Sequence, residues 1–266
     1  MKKSIIALVT AAVMALSACS GGSSDVQQTS TLTQVLESGK LRVAIIPDNP
    51  GWSTLGTDND YHGIDADIAR LLAESLGVEL EFQNTDGAGR VPMIQSGKAD
   101  VVIACLTATN ERAKSVAFTD PYASGGIIGL CPADNVLQSW DELEGKKISV
   151  ARGSTNDTFA TEHYPNSEIV RFDAIADAFT ALKTGKVDVL LEDVTAVNDL
   201  AAENSDVDVM PVNPQQSSYM CMAIRQGDAA WMEYLNNFIR NALYNGQINE
   251  FYKDAFGRDM PKLITY

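Results

Sequence analysis

Cysteine and histidine are scarce in this chain, which has 4 of the first and 2 of the second in 266 residues. No pair of cysteines has CxxC spacing, and His62 and His163 stand alone. A metal site therefore has no support, and no cofactor is expected. Past Cys19 only Cys105, Cys131 and Cys221 remain, so at most one disulfide can form. Cys131 and Cys221 could make it, with buried free thiols as the alternative. Positive charge is also short, since 20 Lys and Arg face 35 Asp and Glu for a net charge of −15. Nucleic-acid binding needs a basic face and none is visible, so that class is excluded. The acidity reads as a solvated surface. The apolar run Ile5 to Leu16 is too short to cross a bilayer as a stable helix.

That run has another meaning. Lys2 and Lys3 precede it as a basic region, and Leu16-Ser17-Ala18-Cys19 closes it as a bacterial lipoprotein cleavage box, in which the cysteine is acylated. Residues 1–18 are then a leader and Cys19 a lipid anchor, with an ordinary signal peptide as the alternative. Residues 19–31, rich in Ser, Gly and Gln, read as a tether. The body is expected outside the cytoplasm, anchored to the membrane.

Residues 95–122 carry the most chemistry. Gln95 to Lys98 closes a helix stopped by Gly97, and Val101 to Ala104 reads as a buried strand. Thr109 is placed to cap a new helix with Glu111 and Arg112 in its first turn. Hydroxyls and backbone N–H groups in such a loop suit a small anion, and the planar fork of Arg112 matches a carboxylate. Gln-Ser-Gly-Lys-Ala-Asp-Val at 95–101 is echoed by Lys-Thr-Gly-Lys-Val-Asp-Val at 183–189, so helix stop, turn and buried strand recur in a second lobe. Ligands of open α/β sheets sit beyond the carboxyl ends of the strands. Cys105 to Thr109 and the pair Glu192, Asp193 should then face one cleft. A cation from one lobe and an anion from the other are answered most simply by an α-amino acid.

The remaining pattern supports two lobes. Leu32–Ser38 reads as a helix and Leu41–Ile46 as a strand. Ile64, Ile68, Leu71, Leu72 and Leu76 have helical spacing, and Val78–Phe82 alternates, which gives the β-α-β order of a largely parallel sheet. Ala123–Gly126, small and flexible, is placed as the first crossing, with a strand Ile127–Cys131 beyond it. The second lobe reads as helix Ser139–Leu143, strand Lys147–Ala151, a turn at Gly153–Asn156, a helix from Asp157, strand Glu168–Phe172, helix Ala174–Lys183 and strand Val187–Leu191. Pro211–Ser218 is the return crossing and Met220–Ile224 a strand. Trp231, Leu235, Phe238, Ile239 and Leu243 form the core-facing stripe of a long helix, and Ile248–Phe256 is the last helix. Residues 32–122 with 219–266 make lobe 1 and 123–218 lobe 2, each a mixed, mostly parallel sheet flanked by helices and joined by two hinge crossings.

With the lipoprotein box, the paired Gly-Lys-x-Asp strands, Thr107-x-Thr109-x-Glu111-Arg112, Phe118-Thr119-Asp120-Pro121-Tyr122 and Tyr252-Lys253-Asp254-Ala255-Phe256-Gly257, the chain resembles the polar-amino-acid-binding proteins of bacterial ABC importers. The likeness covers nearly all of residues 32–260. It implies a type II periplasmic-binding-protein clamp, expected as a monomer without enzymatic turnover, that closes on one L-amino acid and presents it to a membrane permease. By this resemblance Arg112 and the backbone N–H groups of Thr107 and Thr155 hold the α-carboxylate. The α-ammonium falls to Asp193, the Cys105 carbonyl and the Thr107 hydroxyl. Ser154 and Thr155 also fit a plain turn and helix cap. Cys105 replaces a usual glycine. Asn49 stands where the family often has a stacking aromatic, with Trp52 three residues on. Arg90 matches an arginine that acidic-amino-acid binders use for the side-chain carboxylate, but their second basic residue, near Ile46, is missing. Glutamate or aspartate leads as ligand, with glutamine close behind. Two other readings stay open: a dehydratase-like periplasmic enzyme and a ligand sensor. For the enzyme Glu192 is the one carboxylate to nominate, although strand alternation points it away from the cleft.

Overall fold

The computed structural model describes residues 29–261 and 263. The leader, Cys19 and most of the tether lie outside these described residues. One mixed sheet runs through the whole body. Its strands lie in the order Glu79–Asn84, Lys40–Ile45, Val101–Val102, Gln215–Ile224, Ala117–Pro132, Val189–Asp193, Lys147–Ala151 and Glu168–Phe172. The first three are parallel, as are the last three, and the two long central strands are antiparallel to each other and to their outer neighbours. Each flank is thus a parallel β-α-β half, and the central pair carries the chain from one half to the other and back.

Where the sequence predicts a flexible crossing at Ala123–Gly126 and a separate strand after it, Ala117–Pro132 is one unbroken strand. Its return partner begins at Gln215, so much of the predicted proline-rich crossing is strand as well. Register shifts interrupt the pairing of the two long strands at Gln215/Ser218, Met220/Cys221 and Cys221/Ala223.

Each half has its own core. In lobe 1, Val43, Val101 and Ile103 pack with Ile64, Ile68 and Leu72 of the helix Ile64–Leu76 and with Trp231, Leu235 and Ile239 of the helix Ala229–Tyr244. Lobe 2 buries apolar side chains on both faces of its sheet, with Phe159 and Leu143 on one and Ala178, Leu182 and Val197 on the other. The last of these belongs to a helix, Val194–Glu203, that the sequence reading missed. Its signal was Asp193, which caps it by accepting from the Thr195 N–H at 2.9 Å. The loop after the first strand also has structure, a small sheet of Asp48–Asn49, Ser53–Leu55 and Tyr61–His62. The first helix starts at Thr31, and Asp228 ties it down by accepting from the Ser30 hydroxyl and the Thr31 N–H, both at 2.7 Å. All three cysteines here are free. Cys131 pairs in register with Asp208, and Cys221 lies opposite Pro121, further back along the same strand, so neither reaches the other.

The halves touch at several points. Trp52 Nε1 donates to the Thr195 hydroxyl at 3.0 Å. Gly153 (φ +70°) lies so close to the other lobe that a Cβ there would come within 2.9 Å of Ala88 Cα, a place only glycine fits. The helix Ile175–Lys183 has no side-chain cap of its own, and Asp48 of the opposite lobe supplies one, accepting from the Ile175 N–H at 2.9 Å. A cap is worth about 0.5–2 kcal/mol, so Asp48→Ala is expected to lower the closed-to-open ratio of the two halves by about 2- to 30-fold. Single-molecule energy transfer between dyes attached through Glu74→Cys and Glu162→Cys measures that ratio, and an unchanged distribution would show that the contact does not hold the halves together.

Candidate functional site

Between the lobes lies a narrow cleft with a cavity volume of about 50 Å³. Lobe 1 contributes Asn49, Arg90, Cys105 and Thr107 to its wall. Lobe 2 contributes Ser154, Thr155, Asn156, Glu192 and Asp193, and the crossing strands add Gly126, Ser218 and Met220.

The loop that follows Val101–Val102 is pinned to a crossing strand. The Ala108 N–H donates to the Tyr219 carbonyl (3.1 Å) and the Cys221 N–H to the Leu106 carbonyl (3.0 Å). Cys105 is held at φ +45°, a left-handed conformation that favours glycine and costs a side chain about 1–3 kcal/mol, so the position is strained. Its carbonyl faces Arg90, whose Nη1 donates to it and to the Ala104 carbonyl, both at 3.0 Å. Thr109 caps the next turn, accepting from the Arg112 N–H at 3.2 Å, but the helix Asn110–Ala113 is a single turn. Its dipole is correspondingly small, and the anion-binding capacity expected here rests on the Arg112 guanidinium. Arg112 does not line the cavity. It stands at the edge and bridges the lobes, with Nη1 donating to the Thr107 carbonyl at 2.7 Å and Nη2 to the Gly153 carbonyl at 3.0 Å.

On the other side, Asp193 ends the strand Val189–Asp193 and reaches back to the crossing. One oxygen accepts from the Thr195 N–H and hydroxyl, the other from the Gly126 N–H at 3.2 Å. A Cβ on Gly125 would lie 2.0 Å from that second oxygen, so glycine there is what lets the carboxylate lie against the strand. Glu192, expected at the cleft from its place after the repeated strand but turned away from it by strand alternation, lines the cavity beside Asp193, 8% exposed. The chain turns into the capped helix at Asp193, which breaks the alternation on which that expectation rested. Oε1 of Glu192 accepts from Asn156 Nδ2 and from the Asp193 N–H, both at 2.9 Å, and its Oε2 is buried with no partner. Ser154 caps the helix Thr155–His163, its hydroxyl accepting from the Asp157 N–H at 3.1 Å, which places Thr155 at the helix's first residue, against the cavity.

The electrostatics are those of charges taken out of water and left without opposite partners. Among the described residues no carboxylate forms an ion pair with Arg90 or Arg112; carbonyls accept their hydrogen bonds. Burial, with the neighbouring Arg90 adding to it, lowers Arg112 to about 9. Burial raises Asp193 above the ordinary carboxylate range despite its hydrogen bonds, and raises Glu192 to about 7. Behind the site Asp65, which accepts from the Tyr122 hydroxyl at 2.7 Å, is raised by burial to about 7 and has an orphaned Oδ2.

Of the residues nominated from sequence, Asn49, Arg90, Cys105, Thr107, Ser154, Thr155 and Asp193 are brought together around the cavity, with Arg112 at its edge. Trp52 is not. It is fully buried in lobe 1, edge-on to Tyr122 and Phe256, and has no face left for a ligand. Asn156 and Met220 were missed. Asn156 carries a sequence signal, as the only residue of the Gly153–Asn156 turn with a side-chain amide, but Met220 is placed by strand register alone. No cluster of His, Cys, Asp and Glu among the described residues could hold a metal, and no described helix is long and apolar enough to cross a membrane.

A two-lobed α/β body with a polar cleft at its hinge defines the class of a type II periplasmic amino-acid-binding protein. Residues 41–258 match the bacterial extracellular solute-binding proteins, family 3, and the chain belongs to that family. It is 29% identical over 258 residues to the ABC transporter glutamine-binding protein GlnH of Bacillus subtilis, covering 93% of this chain and 94% of that one. Among solved structures it is similar to an ancestral amino acid-binding protein described as a precursor of cyclohexadienyl dehydratase (TM-score 0.81, 32% identity, 85% of this chain and 100% of that one). It is also similar to the amino acid ABC transporter substrate-binding protein AbpA of Streptococcus pneumoniae bound to L-arginine (TM-score 0.81, 27% identity, 86% and 100%).

The buried acids give the fold a pH dependence. Asp65 and Glu192 keep their protons up to about pH 7 in the folded chain, whereas the unfolded chain releases them near about pH 4. The folded state therefore binds more protons between those values, and its stability falls as pH rises through the window. The ligand-free protein is expected to melt at higher temperature at about pH 5.5 than at about pH 8, with each kcal/mol moving Tm by about 2–4 °C. Calorimetry at constant ionic strength checks this, and a Tm that rises with pH would contradict it.

Proposed function

We propose that the chain is a lipid-anchored binding protein, held at the outer face of a membrane through Cys19, that captures one free L-amino acid in the cleft and delivers it to an ABC permease. The single observation behind the capture step is that each side of the cleft offers a largely desolvated charge with no opposite partner. Removing one member of a buried charge pair typically costs about 3–5 kcal/mol, so a dry cleft that presents both signs is complementary to a zwitterion. The α-carboxylate takes the place of the neutral carbonyls on Arg112 and draws on the N–H groups of Thr107 and Thr155. The α-ammonium binds Asp193, with the Thr107 hydroxyl beside it; that hydroxyl has only a weak contact to Met220 Sδ at 3.7 Å. The Cys105 carbonyl already accepts from Arg90 and shares its second lone pair.

A second reading, an enzyme on the same fold, draws on Glu192. A cavity-lining carboxyl at about 7 has the character a general acid or base needs. Turnover of a carboxylated ring acid would favour it; the family and the paired charges favour binding without turnover.

The capture step is tested with Arg112→Ala and Asp193→Asn, the second chosen because asparagine also caps helices and preserves Val194–Glu203. Each is expected to weaken binding in calorimetric titrations against the twenty amino acids by at least about 100-fold. Near-native affinity in either variant would refute the pairing.

A further inference from the structure

Trp52, turned into the core and away from any ligand, still carries one polar atom. All three tryptophans of the chain donate through Nε1, but to different kinds of partner. Trp140 and Trp231 donate to backbone carbonyls of their own lobes, those of Asn213 at 3.1 Å and Asp100 at 3.0 Å. Trp52 donates across the interface to a side-chain hydroxyl, that of Thr195 at 3.0 Å. Both ends of that bond are fixed within their own lobes. The indole is fully buried and edge-on to Tyr122 and Phe256, and the Trp52 carbonyl accepts from the Asp65 N–H at 2.8 Å. Thr195 is buried as the second residue of the helix Val194–Glu203.

A hydroxyl carries one proton. With Trp52 donating to its oxygen, the Thr195 hydroxyl turns that proton to Asp193 Oδ1, which also accepts from the Thr195 N–H at 2.9 Å. Indole, hydroxyl and carboxylate thus form a chain in which each hydrogen bond polarises the next. Its last member is the acid that grips the α-ammonium, the reading on which this step rests. Burial pushes Asp193 up, and the Thr195 hydroxyl is foremost among the groups that oppose burial and keep the carboxylate charged. We propose that Trp52 is a positioning residue for ammonium binding: from the core of lobe 1 it orients the Thr195 hydroxyl of lobe 2 and, through it, the Asp193 carboxylate. Because the first link crosses between the lobes, the acid is fully oriented only when they meet. Closure is thereby tied to the end that every α-amino acid shares, and not to the side chain that tells one from another.

Titration calorimetry tests this with two ligands, the amino acid of the twenty that binds most tightly and its analogue lacking only the α-ammonium. Trp52→Phe removes Nε1 and keeps an aromatic ring in the core, and Thr195→Val keeps the branched shape and the N–H that donates to Asp193. In each variant the preference for the amino acid over the deaminated analogue is expected to fall by at least about tenfold. Thr195→Ser, which keeps the hydroxyl, should hold that preference within about threefold of native. The double variant should lose no more than about threefold beyond Thr195→Val, because both changes break one chain. Equal weakening of both ligands would make Trp52 a contact between lobes and nothing more. That result, unchanged binding, or additive losses in the double variant would overturn the inference and leave capture of a zwitterion standing. A native chain that does not distinguish the amino acid from its deaminated analogue would overturn both. If Trp52→Phe loses its cooperative melt, Thr195→Val against Thr195→Ser decides alone.

Discussion

Everything in this molecule is arranged around charges that have been taken out of water and denied a partner. In an ordinary domain Arg112 and Asp193 would point outward or pair with a neighbour. Here Arg112 leans on two backbone carbonyls, one from each lobe, and Asp193 on backbone N–H groups and a threonine hydroxyl. Dipoles of that kind hold a charge in position without neutralising it. The unpaid part of the solvation free energy is available to whatever brings the opposite charge, and it is available only while the halves exclude water.

The fold supplies that condition by construction. Two antiparallel strands shared by both lobes hold the cleft at their centre, so the cavity-lining loop at Cys105 to Ala108 and the acid at Asp193 are both fastened to the hinge itself. The contacts that close the lobes lie further out, at Asp48 against the helix Ile175–Lys183, at Trp52 against Thr195 and at Gly153 against Ala88. Asp48 lends a helix the cap its own sequence lacks. Closure thereby satisfies a backbone group that opening returns to solvent, a small and reversible gain suited to a clamp that must also release.

Much of this was legible in the residues. The repeated Gly-Lys-x-Asp-Val runs announce two similar lobes because a buried strand after a glycine stop is a local pattern, and Arg112 could be read from its cap at Thr109. Side-chain direction at an element's end was not legible. Glu192 was placed at the cleft by its position after the repeated strand but turned away from it by strand alternation, a rule that fails at the residue where Asp193 turns the chain into a helix. Trp52 was offered to the ligand by its distance from Asn49 in sequence, whereas the small sheet around Asp48 and Ser53 turns it into the core. The crossings were located by composition, but small residues that look like a flexible loop form continuous strand when a partner strand runs alongside.

The most direct test of the opposed charges leaves the protein unaltered and trims the ligand. The amino acid that binds most tightly among the twenty can be compared by calorimetry with the analogue that lacks only its α-ammonium and with the analogue that lacks only its α-carboxylate. If the two ends are gripped by Asp193 and Arg112, each truncated molecule binds at least about 100-fold more weakly than the amino acid. Should either bind within about tenfold of it, the charge left behind in the cleft would have no need of that partner, and the pairing of two buried charges with one zwitterion would be wrong.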